Sequence, residues 1–387
     1  MKNRFALIPV LFWCGALYAQ NSNKFIKHII TNDFISEGVS VGDVNRDGKL
    51  DILAGTCWFE APNWVRHDIA PTPVLKPATE YSTSFLNYSI DVNQDGWTDQ
   101  VIIGYPGTPA YWYENPKGRA GYWKKHAIND RIGVGNESPN FVDIDGNGRT
   151  DILCADVNTK QIVWLSPPVV KGDTAWTRYP ISATNAPGTD RYSHGLGFGD
   201  VNKDGRKDIL VKEGWWEAPG NRTQPDWLFH AANFGDDCSE MYVMDINGDG
   251  FNDVICASAH KYGIWWYEQG KDAQGKATWT KHQISNSFSE IHGVALADIN
   301  NDGNLDIVTG KRWFAHNDTD TDPGAHEAAV LYWFEFTPGE PPYFVPHQID
   351  SDSGVGLHVV VQDMNNDKLK DIVISNKKGV FYFENTH

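Results

Sequence analysis

Short apolar runs recur along this chain at intervals of several dozen residues, set apart by Gly- and Asp-rich turns, and the pattern predicts strands rather than helices. The runs are Ile52-Leu53-Ala54, Val101-Ile102-Ile103, Ile152-Leu153-Cys154, Ile209-Leu210-Val211, Val254-Ile255-Cys256, Ile307-Val308-Thr309 and Ile372-Val373-Ile374. Brief continuous apolar runs bounded by turns read as buried strands. An aromatic strand ending in Glu follows most of them: Trp58-Phe59-Glu60, Trp112-Tyr113-Glu114, Trp216-Glu217, Trp266-Tyr267-Glu268, Trp333-Phe334-Glu335 and Phe381-Tyr382-Phe383-Glu384. An amphipathic strand comes next, as in Trp123–Ile128 and Trp279–Ile284. With one strand before each apolar run, every repeat has four strands, the content of a propeller blade.

Each apolar run is preceded by an acidic motif with oxygen-bearing side chains at positions 1, 3, 5 and 9. The seven copies supply Asp43, Asn45, Asp47 and Asp51; Asp91, Asn93, Asp95 and Asp99; Asp143, Asp145, Asn147 and Asp151; Asp200, Asn202, Asp204 and Asp208; Asp245, Asn247, Asp249 and Asp253; Asp298, Asn300, Asp302 and Asp306; and Asp363, Asn365, Asp367 and Asp371. Their spacings of 48, 52, 57, 45, 53 and 65 residues mark a repeat architecture, and seven copies suit a closed ring. Alternate oxygen ligands on a tight loop converge on one centre, as a hard cation such as Ca²⁺ requires. The expectation is structural Ca²⁺, up to one ion per blade. An EF-hand is excluded because position 12 is apolar or small, as at Ala54, and the flanks are strands. A metal-free turn would not need the acid at position 9. Gly48 and its counterparts supply the left-handed turn, but in the seventh copy Lys368 stands there, which predicts a strained, weaker site.

The last repeat stops after its third strand. Phe25-Ile26-Lys27-His28-Ile29 matches the fourth-strand pattern and precedes the first motif. The expected fold is therefore all-β, a seven-bladed β-propeller closed by the N-terminal strand joining the last blade, which removes exposed edges. On these motifs the chain resembles the FG-GAP/VCBS-type calcium-binding repeat family, from about Phe25 to His387. The resemblance implies a seven-bladed propeller of the kind found in integrin α heads and several carbohydrate-active enzymes. More narrowly, the His-Gly pairs before the inner strands and the stretch Gly310–Asn317 resemble the propeller part of aldos-2-ulose dehydratases.

Composition adds location and partners. Residues 1–19 read as a secretory signal: Lys2 and Arg4 precede the apolar Phe5–Ala16, and Leu17-Tyr18-Ala19 offers cleavage before Gln20. That leaves residues 20–387 as a single propeller, secreted or periplasmic, expected as a monomer with no membrane span. Loss of Lys2 and Arg4 takes the net charge from −17 to −19, and seven divalent ions would bring it to −5. Much of the acidity is thus ligand, and no basic stripe suggests nucleic acid. Cys154 and Cys256 fall in buried strands, and Cys238 could meet Cys256 within one blade. The 16 Trp recur at matched positions and are expected to fill blade interfaces.

Function should lie where the sevenfold repetition breaks. Six residues before each motif stand Glu37, Phe85, Glu137, His194, Ser239, His292 and Leu357; one residue further on are Glu240 and His358. These positions lie at the face opposite the acidic loops and should ring the channel mouth. Loops between second and third strands add Lys212, His260, Lys311, Arg312 and Lys377, and a long loop, Ala315–Ala329, carries His316, Asp318, Asp320, Asp322, His326 and Glu327. His194, His292 and His358 with Glu240 form a candidate transition-metal site. Alternatively a histidine or Tyr192 removes a proton beside a carbonyl or carboxylate, with Lys212, Lys311 and Arg312 stabilising the enolate. That chemistry is β-elimination from an oxidised or acidic sugar, of dehydratase or lyase type. Glu240 with Glu290 would instead suit a hydrolase. The alternative to an enzyme is a propeller that binds a glycan or protein on the same face. No nucleophile elbow, phosphate loop or zinc-protease helix is present.

Overall fold

The computed structural model describes residues 24–387, and the expected signal at 1–19 lies outside them. The described residues form 28 strands and no α-helix. They are arranged as five four-stranded sheets and one eight-stranded sheet in a β-propeller. Each four-stranded sheet is an antiparallel meander, as in Ser40–Gly42, Asp51–Ala54, Cys57–Glu60 and Val65–Asp68. The apolar runs seen in the sequence are the second strands and are buried along their whole length. A strand with neighbours on both edges and a sheet on each face has no solvent-facing side, so it shows no alternation.

The N-terminal strand closes the ring. Phe25–Thr31 pairs antiparallel with Gly379–Asn385, from Phe25 opposite Asn385 to Thr31 opposite Val380. The first strands then neighbour one another in chain order around the axis. The Glu37 amide donates to the Ser84 carbonyl at 3.0 Å. Tyr88 Oη donates to the Pro139 carbonyl at 2.9 Å, and Tyr242 Oη to that of Val294 at 2.6 Å. The circuit is completed where His358 Nε2 meets the Val39 carbonyl at 2.6 Å.

The eight-stranded sheet departs from the expectation of separate blades. Two antiparallel runs, 196–231 and 240–289, are joined by parallel pairing of Leu196 with Glu240 and Gly197 with Met241. The cause is the Gly195-Leu196-Gly197-Phe198-Gly199 sequence. A Cβ on Gly197 would lie 2.6 Å from the Met241 carbonyl, and one on Gly199 2.5 Å from Val243 Cβ. Without side chains the two backbones come close enough to hydrogen-bond.

The core is divided among the junctions between successive sheets. Leu53 and Trp58 pack on Ile102, Tyr113 and Trp123 of the next sheet. Trp112 packs on Ile152 and Val163, and Ile52 and Phe59 on Val373 and Tyr382 across the closure. The halves of the eight-stranded sheet also pack this way, Leu210 and Trp215 against Val254 and Trp265. Five tryptophans, Trp58, Trp112, Trp215, Trp266 and Trp333, also stack on the histidine opposite within their sheet, at 4.2 Å for Trp58 and His67 and 4.3 Å for Trp333 and His347. Cys238 and Cys256 are free buried thiols whose Sγ atoms both approach the Phe234 carbonyl.

Candidate functional site

The strand Leu196–Gly199 begins two residues after His194 and ends immediately before Asp200. The same order holds for His292, Val294–Ala297 and Asp298. The channel-mouth residues and the acidic loops are therefore at opposite ends of the inner strands.

At the mouth the structure gathers four histidines. The rings of His194 and His292 are 5.3 Å apart, and His260 lies 4.7 Å from the first and 5.7 Å from the second. His316, from the long loop, stacks on His260 at 4.8 Å. Glu137 brings a carboxylate oxygen to 3.7 Å from His194 Nε2. One ligand atom each from Glu137, His194 and His292 fall within 4.8 Å of one another, as do those of His260, His316 and Asp322. His292 Nδ1 is 3.3 Å from the Glu290 carbonyl, which only accepts, so Nδ1 carries the hydrogen and Nε2 presents its lone pair. The Nε2 atoms of His194 and His292 are buried without a hydrogen-bond partner. An unsatisfied buried nitrogen costs about 1–3 kcal/mol, so two together at one point ask for a ligand.

The electrostatics disfavour the charged forms of His292 and His316. Burial pushes His292 well below the usual histidine range, and Arg312 and the neighbouring histidines act the same way. Burial and Arg312 also lower His316. Burial would raise Glu137, but its contacts with His194 and Arg312 outweigh this and bring it down to about 2. A carboxylate beside two imidazoles is a donor set suited to a borderline transition metal.

Arg312 joins this cluster but not as a free cation. It is buried and bridges Glu37 and Glu137, the latter at 3.0 Å, so it positions Glu137 rather than awaiting an oxyanion. Lys311 does not face the mouth cluster directly. Its Nζ is fully buried, 2.7 Å from Glu290 Oε2 and 3.1 Å from Ser289 Oγ. Replacing Lys311 by Met should therefore destabilise the fold by ~3–5 kcal/mol, the cost of stranding a buried partner, as read from urea unfolding. An unchanged midpoint would show that Glu290 accepts a proton and stays satisfied.

Four other expected site residues lie elsewhere. Glu240 is buried, accepts from the Val294 amide at 2.9 Å, and is pushed up to about 8 by burial. His358 stacks on Tyr88 at 5.5 Å and is lowered to about 4 by burial. Both belong to the channel wall with Tyr88 and Tyr242. Tyr192 is exposed at the rim, with a left-handed φ of 65°, and its hydroxyl meets that of Tyr105 at 3.2 Å. Lys212 pairs with Asp237 at 3.3 Å. Lys377, by contrast, faces the cluster: it is lowered to about 8, chiefly by burial, and its Nζ donates to Asn317 Oδ1 at 2.6 Å.

At the other end, every acidic loop wraps its backbone around the first Asp. The Asp47 and Gly48 amides donate to Asp43 at 3.1 and 3.0 Å, and Asp47 also donates to Asn45 Oδ1. The position-9 acids have a role besides ligation: Asp51 accepts from the Val44 amide at 3.0 Å and the Ala61 amide at 2.9 Å. In the third copy Pro167 stands where that second amide would be, and Asp151 Oδ1 is left without a partner. Burial raises Asp51, Asp253 and Asp306 to about 6, Asp151 and Asp208 to about 7 and Asp99 to about 8. Buried carboxylates whose charge burial opposes are suited to a divalent cation, which would reverse those shifts. The repeated glutamates orient the position-3 ligand: Glu60 accepts from Asn45 Nδ2 at 3.1 Å and pairs with His67 at 2.7 Å, turning Asn45 Oδ1 into the loop. Lys368 adopts φ 75° where Gly48 has 84°, a left-handed backbone that costs a side-chain-bearing residue roughly 1–2 kcal/mol.

Were Ca²⁺ to occupy these loops, as their sequence leads one to expect, its removal would lower the melting temperature by ~10 °C or more, since each occupied site adds about 2.7 kcal/mol at a free-ion level of 100 Kd. Calorimetry with and without EDTA, with the bound metal counted, tests this. An unchanged transition after confirmed metal loss sinks the reading.

The closed ring of antiparallel sheets defines a β-propeller. Residues 91–154 and 245–309 match the FG-GAP-like repeat, each span running from one acidic loop to the second strand of the following repeat. Two segments of the chain are thus FG-GAP-like repeats. No curated protein matches it. Among solved structures it is similar to rhamnogalacturonan lyase YesW, at 12% identity over 94% of this chain and 72% of that one, TM-score 0.47. Exotype rhamnogalacturonan lyase YesX gives 13%, 94%, 73% and 0.48. YCF48 from Cyanidioschyzon merolae gives 11%, 92%, 98% and 0.49. At TM-scores below 0.5 these likenesses carry no weight for function. No helix of the described residues is long and apolar enough to cross a membrane.

Proposed function

We propose that this chain is a secreted carbohydrate-active lyase of dehydratase type, acting at the channel mouth on an oxidised or acidic sugar. The observation that carries the reading is the pair of unpartnered, buried Nε2 atoms of His194 and His292 converging with Glu137. These three residues would hold a divalent transition metal, whose Lewis acidity at a sugar carbonyl or carboxylate would favour an enolate. His316 is the base. Its Nδ1 faces Asp320 and Asp322 at 3.3 Å each, leaving Nε2 to take the proton from the carbon beside the carbonyl. As the double bond forms, the carbon–oxygen bond to the leaving group breaks. Lys377, lowered to about 8 and so still mostly protonated at neutral pH, gives its proton to the departing oxygen. Arg312 and Glu37 position Glu137.

The same proposal takes the two runs of the eight-stranded sheet as two blades, making seven, because their halves pack face to face as successive blades do. It places Ca²⁺ in the acidic loops and a cleaved signal at residues 1–19, followed by the propeller at 20–387. The second reading, a non-catalytic glycan- or protein-binding propeller, is favoured by one observation: Lys311 and Arg312 are fully neutralised by carboxylates. A screen of keto-sugars and uronic-acid oligosaccharides for new ultraviolet absorbance decides between them. An unsaturated product, lost on removal of the transition metal, supports the enzyme. Tight binding without product supports the binding propeller.

A further inference from the structure

A groove of about 780 Å³ lies between the first two sheets. Its volume falls within the ~300–1,000 Å³ of small-ligand sites, with room for more than one sugar ring. Tyr81, Tyr105, Tyr111 and Tyr113 line it, together with Lys125 and Asp130. Tyr81 and Tyr105 link the groove to the elements of the histidine cluster. Tyr81 Oη donates to the Ala315 carbonyl at the base of the loop that carries His316, at 3.1 Å. The Tyr81 ring is 5.8 Å from that of Tyr105, which is 5.3 Å from Phe85 and 5.8 Å from Tyr192. The Arg312 guanidinium lies over Phe85 at 5.7 Å, so one aromatic wall leads from cluster to groove.

Three cations accompany this wall. Lys377 Nζ is 4.0 Å from the Tyr81 ring centre, and Lys125 Nζ 3.5 Å from that of Tyr111. The Arg191 guanidinium is 5.5 Å from the Tyr105 ring and 5.1 Å from that of Tyr192. Among the described residues none of the three has a carboxylate within the 4.0 Å of an ion pair. In a chain of net charge −17, the groove sets Lys125 beside Asp130, with Lys377 and Arg191 against the tyrosine rings at its inner end. Tyrosine faces take the C–H faces of sugar rings. The cations add recognition of carboxylates.

We propose that this groove binds the chain of an acidic oligosaccharide whose end enters the histidine cluster, so that the ligand is a carboxylate-bearing oligomer and not a free sugar. The statement that this oligomer is also the substrate rests on the elimination reading above; the statement that it binds does not. A polynucleotide shares anionic charge and stackable rings, but the strongly negative chain disfavours it.

Titration calorimetry of the full chain with galacturonate, oligogalacturonates, heparin-derived oligosaccharides, neutral cello-oligosaccharides and oligothymidylate tests the proposal, with absorbance of the same samples followed for unsaturated product. The expected result is affinity for an acidic oligomer at least tenfold above that for its monomer and for the neutral series. Lys125→Glu and, separately, Tyr111→Ala should each weaken oligomer binding tenfold or more. Lys125 lies on an outer strand, so its variant should fold even if Tyr111→Ala does not. No binding by any acidic oligomer, preference for the neutral series or for oligothymidylate, or unchanged affinity in Lys125→Glu overturns the groove. Oligomer binding with no product supports the groove and removes the elimination reading. Product formed from monomer as readily as from oligomer supports the reaction and overturns the groove.

Discussion

Replacing His194 with alanine is expected to abolish transition-metal binding and lower turnover by ~10²-fold or more while leaving the fold nearly as stable as before. Two effects oppose each other in this variant. Truncation removes packing from a buried side chain, a loss of about 1–2 kcal/mol. It also removes an Nε2 atom that is buried without a partner, whose desolvation costs about 1–3 kcal/mol. The terms offset, so the metal-free variant and the metal-free parent should melt within a few degrees of each other. Metal content by mass spectrometry, turnover by ultraviolet absorbance and melting by calorimetry separate the possibilities. A variant that keeps its metal and its turnover would end the proposal for the mouth cluster. One that loses several kcal/mol would make His194 a core histidine with a structural role.

The repeat carried the fold because it is written in residues that cannot be exchanged freely. An acid at position 1 wrapped by amides, a left-handed glycine at position 6 and a doubly buried strand are each a demand of local geometry. Where side-chain identity gave no such demand, the sequence was silent. The fused sheet depends on Gly197 and Gly199 lacking a Cβ, and in a chain with 36 glycines two more carry no distinguishing signal. The histidines at 28, 67, 126, 230, 282 and 347 form one ring of Glu pairs, yet they sit in the least regular strands.

The mouth cluster was legible to the extent that strand phase was respected. Glu37, Glu137, His194 and His292 all stand six residues before their motifs, and these are the residues that converge around Arg312. Glu240 and His358 stand five before, and they sit in the channel wall instead. A shift of one residue along an extended segment turns a side chain to the other side. The same alternation separates Lys311 from Arg312: one enters the pair with Glu290, the other reaches the axis. His260 and His316 come from irregular loops, where no period tells which way a ring points.

Deleting residues 25–31 is expected to cost most of the stability of the molecule and to make it aggregate. The strand supplies a whole edge of its sheet, with backbone pairing from Phe25 to Thr31 along Gly379–Asn385. Phe25 is buried in the cluster that holds Trp333, Phe381 and Phe383, and its side chain alone contributes about 1.5–3 kcal/mol. Lys27 pairs with Asp350 at 2.8 Å and lies 4.9 Å over Phe381, while His28 stacks on Tyr382 and pairs with Glu384. Several ladder hydrogen bonds at about 1 kcal/mol each bring the loss to roughly 5–8 kcal/mol, comparable with the ~5–15 kcal/mol that holds a typical domain. The bare Gly379–Asn385 edge that remains is long and apolar, a template for pairing with another copy. Light scattering and urea unfolding of the truncated chain, with the missing segment added back as a peptide, measure both effects. A soluble truncated monomer with an unshifted midpoint would show that the ring holds without its N-terminal strand; rescue by the peptide is the outcome the pairing requires.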